Sequence, residues 1–291
     1  MRIDLHTHSR VSDGTESPAE LVKAARAAGV DVLALTDHDT SAGWPEAVAA
    51  AQEYGVTLVR GMEISTELNG RGVHLLAYLP DPTYPPLVEE LERVLEGRTG
   101  RLPGMIARLR QLGIDITAED VLAQSGDAAA SGRPHVADAL VAKGVVASRD
   151  EAFDRYLGMG RPAYVHRYAA PLEPMVRTVA AAGGVTVIAH PWGRSGRQRP
   201  DEHDLAPLVE AGLAGLEVDH QDHSPAVRER LRAIARELDL VVTGSSDHHG
   251  SGKSGHELGV NTTAPQEYAR LLERAARASA ASGRPTPEVV G

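Results

Sequence analysis

Two histidines stand two residues apart near the start of the chain, at the end of its first apolar segment. The stretch DLHTHSRVSDG holds His6 and His8 together with the acidic Asp13. Side chains two apart on a β-strand point to the same side, so two imidazoles at this spacing could bind one metal ion. A polar loop is the alternative interpretation of this stretch. The rest of the sequence has to decide between the two.

The same spacing recurs near the other end of the chain. The stretch SSDHH places Asp247 and His249 two residues apart, after a short β-rich run. Other β-rich runs contain or precede four further candidates, namely His38, Glu63, His74 and His190. The carboxyl ends of strands in a parallel α/β fold share one face, where active sites form. We therefore expect these side chains, although distant in sequence, to converge in space.

Nitrogen and oxygen donors alone are available for a metal here. The chain has no cysteine, which excludes disulfides and thiolate ligands. Imidazole with carboxylate suits Zn²⁺, Mn²⁺ or Fe²⁺, and a carboxylate such as Glu63 could bridge two ions. Each motif alone has an ordinary explanation, and His74 by itself would be a core histidine. The joint pattern predicts a metal site, because ionisable groups at so many strand ends are costly unless they are paired or bind metal.

β-rich runs alternate with helical patterns along most of the chain. Strands are predicted over 2–6, 31–36, 56–64, 72–79, 185–190, 215–219 and 240–247. The stretch SPAE predicts a capped helix that begins after Ser17 and ends at Gly29. Further helices are predicted over 44–54, 172–182, 204–211, 225–238 and 265–281. This alternation is typical of a mainly parallel sheet or barrel.

The middle of the chain departs from this alternation. It shows few strand runs, and its helices are predicted over 86–97, 101–112, 117–124, 134–143 and 149–157. We interpret residues 83–168 as a helical insertion over the mouth of a barrel formed by 1–82 and 169–282. The last residues, 283–291, are expected to form a flexible tail.

Composition and charge exclude several classes of protein. The 291 residues, 42% of them hydrophobic, suffice for one large α/β domain or two smaller ones. No apolar run reaches about 18 residues, so no membrane span is expected. Asp4 interrupts any apolar core of a signal peptide, so a cytoplasmic location is expected. The formal net charge of −10 argues against duplex DNA as a partner, while a small anionic substrate remains compatible with it.

The motifs DLHTHSRVSDG, ALTDHDT, GMEIS, GVHLLAY, IAHP and SSDHHG, in this order, resemble those of the PHP (polymerase and histidinol phosphatase) family of metal-dependent phosphoesterases. The resemblance covers about residues 1–80 and 165–260. It implies a distorted (β/α)₇ barrel with three divalent ions, which would be Mn, Zn or Fe. The implied ligand sets are His6, His8, Glu63 and Asp247 for one ion, Glu63, His74 and His190 for a second, and Asp13, His38 and His249 for a third.

A second resemblance concerns the substrate. The stretches SGRPHVADAL and AHPWGR are similar to those of stand-alone PHP enzymes that act on nucleoside 3′,5′-bisphosphates and on the 5′ ends of short RNA. This implies Arg133, His135 and Arg194 as phosphate ligands, and the planar, permanently charged arginine fork suits phosphate oxygens. A solvated arginine at a helix start is the alternative for Arg133. His220 is a candidate general acid and substrate ligand, with an exposed loop histidine as the alternative.

The predicted reaction is metal-assisted hydrolysis of a phosphate ester, with arginines assisting charge neutralisation. The implied substrate is a nucleoside 3′,5′-bisphosphate that loses its 3′-phosphate, with 5′-3′ hydrolysis of short 5′-phosphorylated RNA as a second activity. Three alternatives stay open. The protein could be a phosphatase for histidinol phosphate or another small phosphomonoester, an amide hydrolase whose barrel also starts with HxH, or a non-catalytic metal-binding module.

Overall fold

One curled sheet forms the centre of the protein, whose computed structural model describes residues 1–126, 128–193 and 200–291. Its strands are β1 (Ile3–Thr7), β2 (Val32–Leu35), β3 (Thr57–Leu68), β4 (Arg71–Tyr78), β5 (Ala170–Pro171), β6 (Val185–Ile188), β7 (Leu213–Asp219) and β8 (Val241–Gly244). Their order across the sheet is β1-β2-β3-β4-β6-β7-β8, with the two-residue β5 paired to β3.

The strands are parallel on both sides of the sheet and antiparallel in its middle. β1, β2 and β3 run parallel, as do β6, β7 and β8. β4 runs antiparallel to both neighbours, β3 and β6. The two edges meet beyond the strands, where the His8 N–H donates to the His248 carbonyl at 2.9 Å. This curled sheet confirms the α/β class and the distorted barrel, and the reversed β4 is the distortion.

Helices connect most strands and pack on the sheet. They are α1 (Pro18–Ala27), α2 (Trp44–Tyr54), α3 (Pro85–Gly100), α4 (Leu102–Gln111), α5 (Ala118–Ser125), α6 (Arg133–Ala142), α7 (Arg149–Ala152), α8 (Leu172–Ala181), α9 (Glu202–Ala211), α10 (Pro225–Glu237) and α11 (Pro265–Ser282). The predicted elements are confirmed within a few residues of their bounds, except that α7 is short and continues as a π-helical turn, Phe153–Leu157. The sequence analysis did not predict β5, which is too short to show periodicity.

The start of α1 shows how the local sequence sets an element beside the future site. Ser17 Oγ accepts the Glu20 N–H at 3.1 Å, and the Glu20 carboxylate accepts the Ser17 N–H at 2.8 Å. This capping box satisfies two backbone donors that the helix itself cannot pair. Leu21, Val22 and Ala25 then face the core, which anchors the loop between β1 and α1 at both ends.

Helices α4 to α7 share a hydrophobic cluster of their own, whereas the buried hydrophobic residues of α3 belong to a cluster that covers the sheet. It joins Met105 and Leu109 of α4 to Val136 and Leu140 of α6, apart from the two clusters that cover the sheet. A separate core is what an inserted helical unit requires. The domain bounds proposed above remain a prediction.

The end of the chain lies against β3. Leu58 and Val290 exchange backbone hydrogen bonds of 2.6 and 3.1 Å, and Arg60 donates to the Glu288 carbonyl at 2.8 Å. The structure therefore places the predicted tail, 283–291, beside a strand rather than away from the fold.

Among the helices of the described residues, none is long and apolar enough to cross a membrane. The cytoplasmic location stays a prediction.

Candidate metal centre

The predicted ligand side chains meet at one end of the curled sheet. Each comes from a strand or from the loop that follows one, so the turn of the sheet brings together residues up to about 240 positions apart. Most are buried, and His74 and His190 are partly exposed. The group consists of His6, His8, Asp13, His38, Glu63, His74, His190, Asp247 and His249.

Glu63 lies at the centre of this group. Its Oε2 is 3.3 Å from His6 Nε2 and 3.1 Å from His8 Nε2. Its Oε1 is 2.7 Å from His74 Nδ1 and 3.2 Å from His190 Nε2. The two carboxylate oxygens thus face two separate sets of imidazole nitrogens. A carboxylate in this position can bridge two ions, as paired-metal hydrolytic sites require.

Asp247 completes the first set. Its Oδ1 is 3.5 Å from His6 Nε2 and 3.5 Å from His8 Nε2, while those two ring nitrogens are 3.0 Å apart. Together with Glu63 these residues offer two imidazole nitrogens and two carboxylate oxygens around one point. Four nitrogen and oxygen donors at such separations fit one divalent transition-metal ion.

Asp13 is the centre of another set. It is 5% exposed, and its Oδ1 lies 3.3 Å from His249 Nε2, while its Oδ2 lies 3.6 Å from His38 Nε2. His8 Nδ1 is 3.8 Å from the same carboxylate. Asp13 therefore points into the site rather than to solvent. His38 stands between sets, since its Nδ1 is also 3.2 Å from Glu63 Oε2.

Attraction between opposite charges outweighs the effect of burial on the pKa of several site residues, whereas burial lowers the pKa of His249 and lowers that of His38 to about 3. Burial would lower the pKa of His6, but Glu217, Glu63 and Asp247 raise it well above 6.5. By the same balance, the pKa of His8 is raised to about 9. Burial would raise the pKa of Glu63, yet the surrounding histidines hold it well below its usual range. The carboxylates thus stay ionised and able to bind cations.

Comparisons with known proteins identify the family of this chain. The family model described as PHP domain matches residues 4–123. A protein of Haemophilus influenzae named 5′-3′ exoribonuclease is 38% identical over 248 residues, which cover 85% of this chain and 90% of that protein. The chain belongs to the PHP family. A Chromobacterium violaceum protein named 3′,5′-nucleoside bisphosphate phosphatase is 35% identical over 257 residues, or 88% of this chain and 90% of its own.

A solved structure extends the similarity to the whole fold. A Bifidobacterium adolescentis protein, titled as a candidate metal-dependent phosphoesterase, aligns with a TM-score of 0.89 and 39% identity over 93% of this chain and 95% of its own. This protein is thus a metal-dependent phosphoesterase with a PHP fold, and the histidine and acidic clusters described above are able to bind metal. The comparisons do not favour a non-catalytic module.

The PHP site contains a buried acid that the sequence analysis missed. Glu217 lies inside β7, where its Oε1 is 3.0 Å from His6 Nδ1 and also accepts from the Ser245 hydroxyl. Its Oε2 accepts the His190 N–H at 2.8 Å. The sequence signal that could have identified Glu217 is an acid within the apolar run GLEV. A carboxylate behind a ligand histidine sets the ring orientation and its tautomer.

His220 differs from the exposed loop histidine considered above, because it is fully buried. Its Nε2 is 3.1 Å from Asp247 Oδ2, and its Nδ1 accepts the Asp222 N–H at 3.1 Å. Both ring nitrogens thus have protein partners, and Lys253 Nζ contacts the same Asp247 oxygen. The exposed alternative is wrong, because the turn after β7 folds the ring against the end of β8. A direct contact with substrate stays a prediction.

Two acids of the TDHDT motif support the loops of the PHP site. Asp37 accepts from the backbone and hydroxyl of Ser9 at 2.8 and 2.6 Å and from Ser12 at 2.7 Å. Asp39 accepts the Ser65 N–H at 2.6 Å and pairs with Arg98 Nε at 2.6 Å. Both flank His38 and hold its loop. Neither was singled out in the sequence, since their partners lie on other elements.

Several site residues hold uncommon backbone conformations. Asp39, His190 and Asp247 have positive φ angles of 58°, 28° and 53°. Such angles cost free energy for residues other than glycine and cluster at functional sites. Each of these residues follows a strand, where the left-handed conformation turns the chain.

The predicted phosphate ligands lie in different surroundings. Arg133 stacks over Phe153 and Tyr164, at 5.3 and 5.7 Å from the ring centroids, and donates to the Leu157 carbonyl at 3.3 Å. Arg133 is partly buried, so it is not the fully solvated arginine at a helix start that was considered above. His135 is buried, and its Nδ1 accepts the Gly132 N–H at 2.9 Å. Arg194 lies outside the described residues.

Proposed function

We propose that this PHP phosphoesterase removes the 3′-phosphate from nucleoside 3′,5′-bisphosphates and, as a second activity, hydrolyses short 5′-phosphorylated RNA from its 5′ end. The observation that carries this proposal is the set of metal donors around Glu63, which adjoins cationic side chains of the helical segment. Both similar proteins named above bear one of these two activities in their names. One site serves both reactions, since each breaks an ester at the 3′-oxygen of a nucleoside.

We propose three ions, which are Mn, Zn or Fe. The proposed ligands are His6, His8, Glu63 and Asp247 for the first, Glu63, His74 and His190 for the second, and Asp13, His38 and His249 for the third. The distances from Glu63 and Asp13 to these imidazoles support the sets. The contact between His38 and Glu63 makes His38 able to serve the second set as well.

When bound, the ions supply Lewis-acid chemistry, which activates water and neutralises the charge on phosphate oxygens. The side chains position the donors. Glu217 accepts the proton on His6 Nδ1, which leaves Nε2 as the free donor that faces Glu63 and Asp247. Asp37 and Asp39 fix the loops that carry Asp13 and His38. Arg133 and His135 are proposed to bind the phosphorylated substrate, and His220 to donate a proton to the leaving oxygen.

A phosphate-release screen of the purified, Mn²⁺-loaded protein tests this function. The panel consists of adenosine 3′,5′-bisphosphate, histidinol phosphate, a 5′-phosphorylated RNA oligonucleotide and a simple N-acyl amide. We expect turnover of the first and third, and its loss in the His6→Ala/His8→Ala variant. No turnover of either nucleotide substrate would overturn the substrate assignment. Cleavage of the amide alone would favour the amide hydrolase, and wild-type protein no more active than the double variant would favour a non-catalytic module.

A further inference from the structure

Two loops that supply proposed donors of the third ion are joined to each other. One is the loop between β1 and α1, which carries Asp13, and the other follows β8 and carries His249. The Thr15 hydroxyl accepts the Ser251 N–H at 3.0 Å and donates to the His249 carbonyl at 3.4 Å. The Asp13 and His249 side chains face each other, with 3.3 Å between Oδ1 and Nε2. A movement of either loop would therefore change this part of the site.

Arg149 of the helical segment, residues 83–168, lies against both loops. Its Nη1 donates to the Asp13 carbonyl at 3.0 Å. A Cβ placed on Gly252, three residues after His249, would overlap this nitrogen and lie 2.6 Å from Arg149 Cζ. Only a residue without a Cβ lets the backbone pass so close to the guanidinium. One side chain of the helical segment therefore contacts both loops.

Asp138 holds the guanidinium of Arg149 in this position. Nε and Nη2 of Arg149 donate to the two carboxylate oxygens of Asp138, each at 2.6 Å, in the paired geometry that gives strong ion pairs. Asp138 belongs to α6 and Arg149 begins α7, so both partners are part of the helical segment. The Arg149 side chain is 13% exposed. All three of its guanidinium nitrogens donate to protein oxygens, so the protein itself engages this arginine.

A second hydrogen bond connects the helical segment to the loop between β1 and α1. The Ala129 N–H donates to the Val11 carbonyl at 2.9 Å, two residues before Asp13. The helical segment thus contacts this loop on both sides of Ser12. The Asp13 carboxylate lies 3.3 Å from His249 Nε2 and 3.6 Å from His38 Nε2. A shift of the loop backbone would change these separations directly.

The donors proposed for the other two ions include residues that the sheet itself holds. His6 lies inside β1, Glu63 inside β3 and His74 inside β4. Hydrogen bonds to neighbouring strands fix the backbone at such positions. The three donors proposed for the third ion all lie in loops that follow strands, where contacts from other elements have to fix the backbone. The third ion should therefore depend most on the helical segment.

We propose that Arg149 is a positioning residue for the third ion, and that its contacts set the Asp13 and His249 loops at the separation this ion requires. The inference rests on the proposed function, which supplies the third ligand set, and adds a residue outside that set on which it depends. Removing a group that holds metal ligands in place typically lowers metal affinity by about 10- to 100-fold. The helical segment thus helps to build the metal centre as well as to cover it.

Metal titration of Arg149→Met tests this role without any turnover. Metal-free wild type should bind three Mn²⁺ ions, with free Mn²⁺ measured by electron paramagnetic resonance. We expect one ion to bind about 10- to 100-fold more weakly in Arg149→Met, with the other two unchanged. Arg155→Met removes an exposed arginine of the same helical segment and is the matched control, which should bind all three as wild type does. Equal weakening of all three ions, or of none, would overturn the proposal.

Asp13→Asn identifies the ion that Arg149 affects. This variant alters a proposed donor of the third ion, so it should weaken the same ion as Arg149→Met. Because both changes act on one site, their combined effect should be smaller than the product of the two single fold-changes. Independent, multiplying losses would show that Arg149 acts on another ion and would contradict the inference.

Gly252→Ala disturbs the guanidinium of Arg149 while its charge stays in place. The added Cβ would overlap the guanidinium, and a long side chain yields more readily than the backbone. We expect the same selective weakening of one ion, which also decides the matter if Arg149→Met does not fold. Gly100→Ala, where a Cβ would meet no atom within 4 Å, is the matched control. Three ions bound as tightly as in wild type would contradict a role for this contact.

Rescue distinguishes positioning from a general structural defect. Arg149→Lys keeps the charge without the paired geometry and should recover part of the affinity for the affected ion. Excess Mn²⁺ should restore phosphate release by Arg149→Met, whereas a misfolded site would stay inactive. One ion selectively weakened in a protein that releases no phosphate would leave the positioning role standing and reject only the proposed reaction. Fewer than three ions in wild type would reject the third ligand set and this role with it.

Discussion

Glu217 contacts the ring of His6 on the side opposite the metal donors, and this contact decides which nitrogen faces the site. The Nδ1 to Oε1 distance is 3.0 Å, and both residues are fully buried. The pKa of Glu217 is lowered to about 2, because His6 and its neighbours outweigh the effect of burial. A permanent negative charge thus stands behind a candidate ligand histidine, and such a charge raises the basicity of the free ring nitrogen.

The Glu217→Gln variant should bind metal more weakly. The amide keeps the shape of the side chain but removes its charge, so we expect metal affinity to fall by about 10- to 100-fold. Competition with a chromophoric chelator measures the change. Glu210→Gln, at an exposed position of α9, is the matched control. An affinity equal to wild type would show that Glu217 does not tune His6.

The raised pKa of His8 predicts how metal binding depends on pH. Its pKa of about 9 in the metal-free protein means that the ring carries a proton at about pH 7.5. A ligand histidine must be neutral, so Mn²⁺ binding should release protons at this pH, and the release should shrink as the pH rises through about 9. A pH indicator in weakly buffered solution detects the release. His8→Asn should reduce it and the exposed His203→Asn should not; absence of any release in wild type contradicts the pKa direction.

The junction of α3 and α4 contains two buried arginines, of which one is paired with a carboxylate and the other is not. Arg98 is paired with Asp39 and so fastens the helical segment to the loop after β2. Arg101, which lies between the two helices, is unpaired at Nε. Removing one partner of a buried pair strands the other charge, while removing an unpaired charge relieves a cost. The same substitution should therefore change stability in opposite directions at these two positions.

Arg98→Met should destabilise the protein by roughly 3 kcal/mol, because Asp39 is left buried without a cation. Urea denaturation measures the free energy of unfolding. Adding Asp39→Asn should recover part of the loss, since the stranded charge is then gone. Arg101→Met is the matched comparison and should not lower stability. A similar loss in both single variants would show that the junction depends on side-chain packing rather than on charge.

The sequence predicted most elements because apolar periodicity is a local property. It did not reveal that β4 runs backwards, since strand direction depends on pairing with β3 and β6. The candidate ligand histidines and acids were proposed because they lie in or just after β-rich runs in a recognisable order, although the structure places Glu63 inside β3 and His74 inside β4 rather than at strand ends. The sequence analysis did not single out Glu217 or Arg101, because neither belongs to one of the motifs. The surroundings of each residue are formed by neighbours far along the chain. In the sequence alone, Glu217 resembles an ordinary acid and Arg101 an ordinary solvated arginine.

Across the whole molecule, the candidate centre joins the two edges of the curled sheet. His6 and His8 belong to β1 and the residue after it, while Asp247 and His249 follow β8. The Asp4 carboxylate reinforces this closure by accepting the Ser246 N–H at 3.0 Å and the Gly259 N–H at 2.8 Å. An ion held by donors from both edges would therefore stabilise the sheet as a unit.

Metal removal should lower the Tm of the intact protein. A ligand that binds only the folded state stabilises it by about 4 kcal/mol at about a thousandfold excess over Kd. Thermal scans with Mn²⁺, and after chelation, measure the difference. The His6→Ala/His8→Ala variant should show a much smaller shift. Equal Tm values for the loaded and metal-free wild type would mean that the ions do not couple the two edges.

The reversed β4 also bears on how the site comes together during folding. Glu63 and His74 lie on one antiparallel hairpin and are only eleven positions apart. His6 and Asp247 meet only when both ends of a long chain have found each other. Closing a short loop costs less conformational entropy than closing a long one. If the proposed ligand sets hold, Glu63 and His74 would be available to a metal ion in a partly folded chain, whereas a site that includes both His6 and Asp247 would be available only in the folded protein.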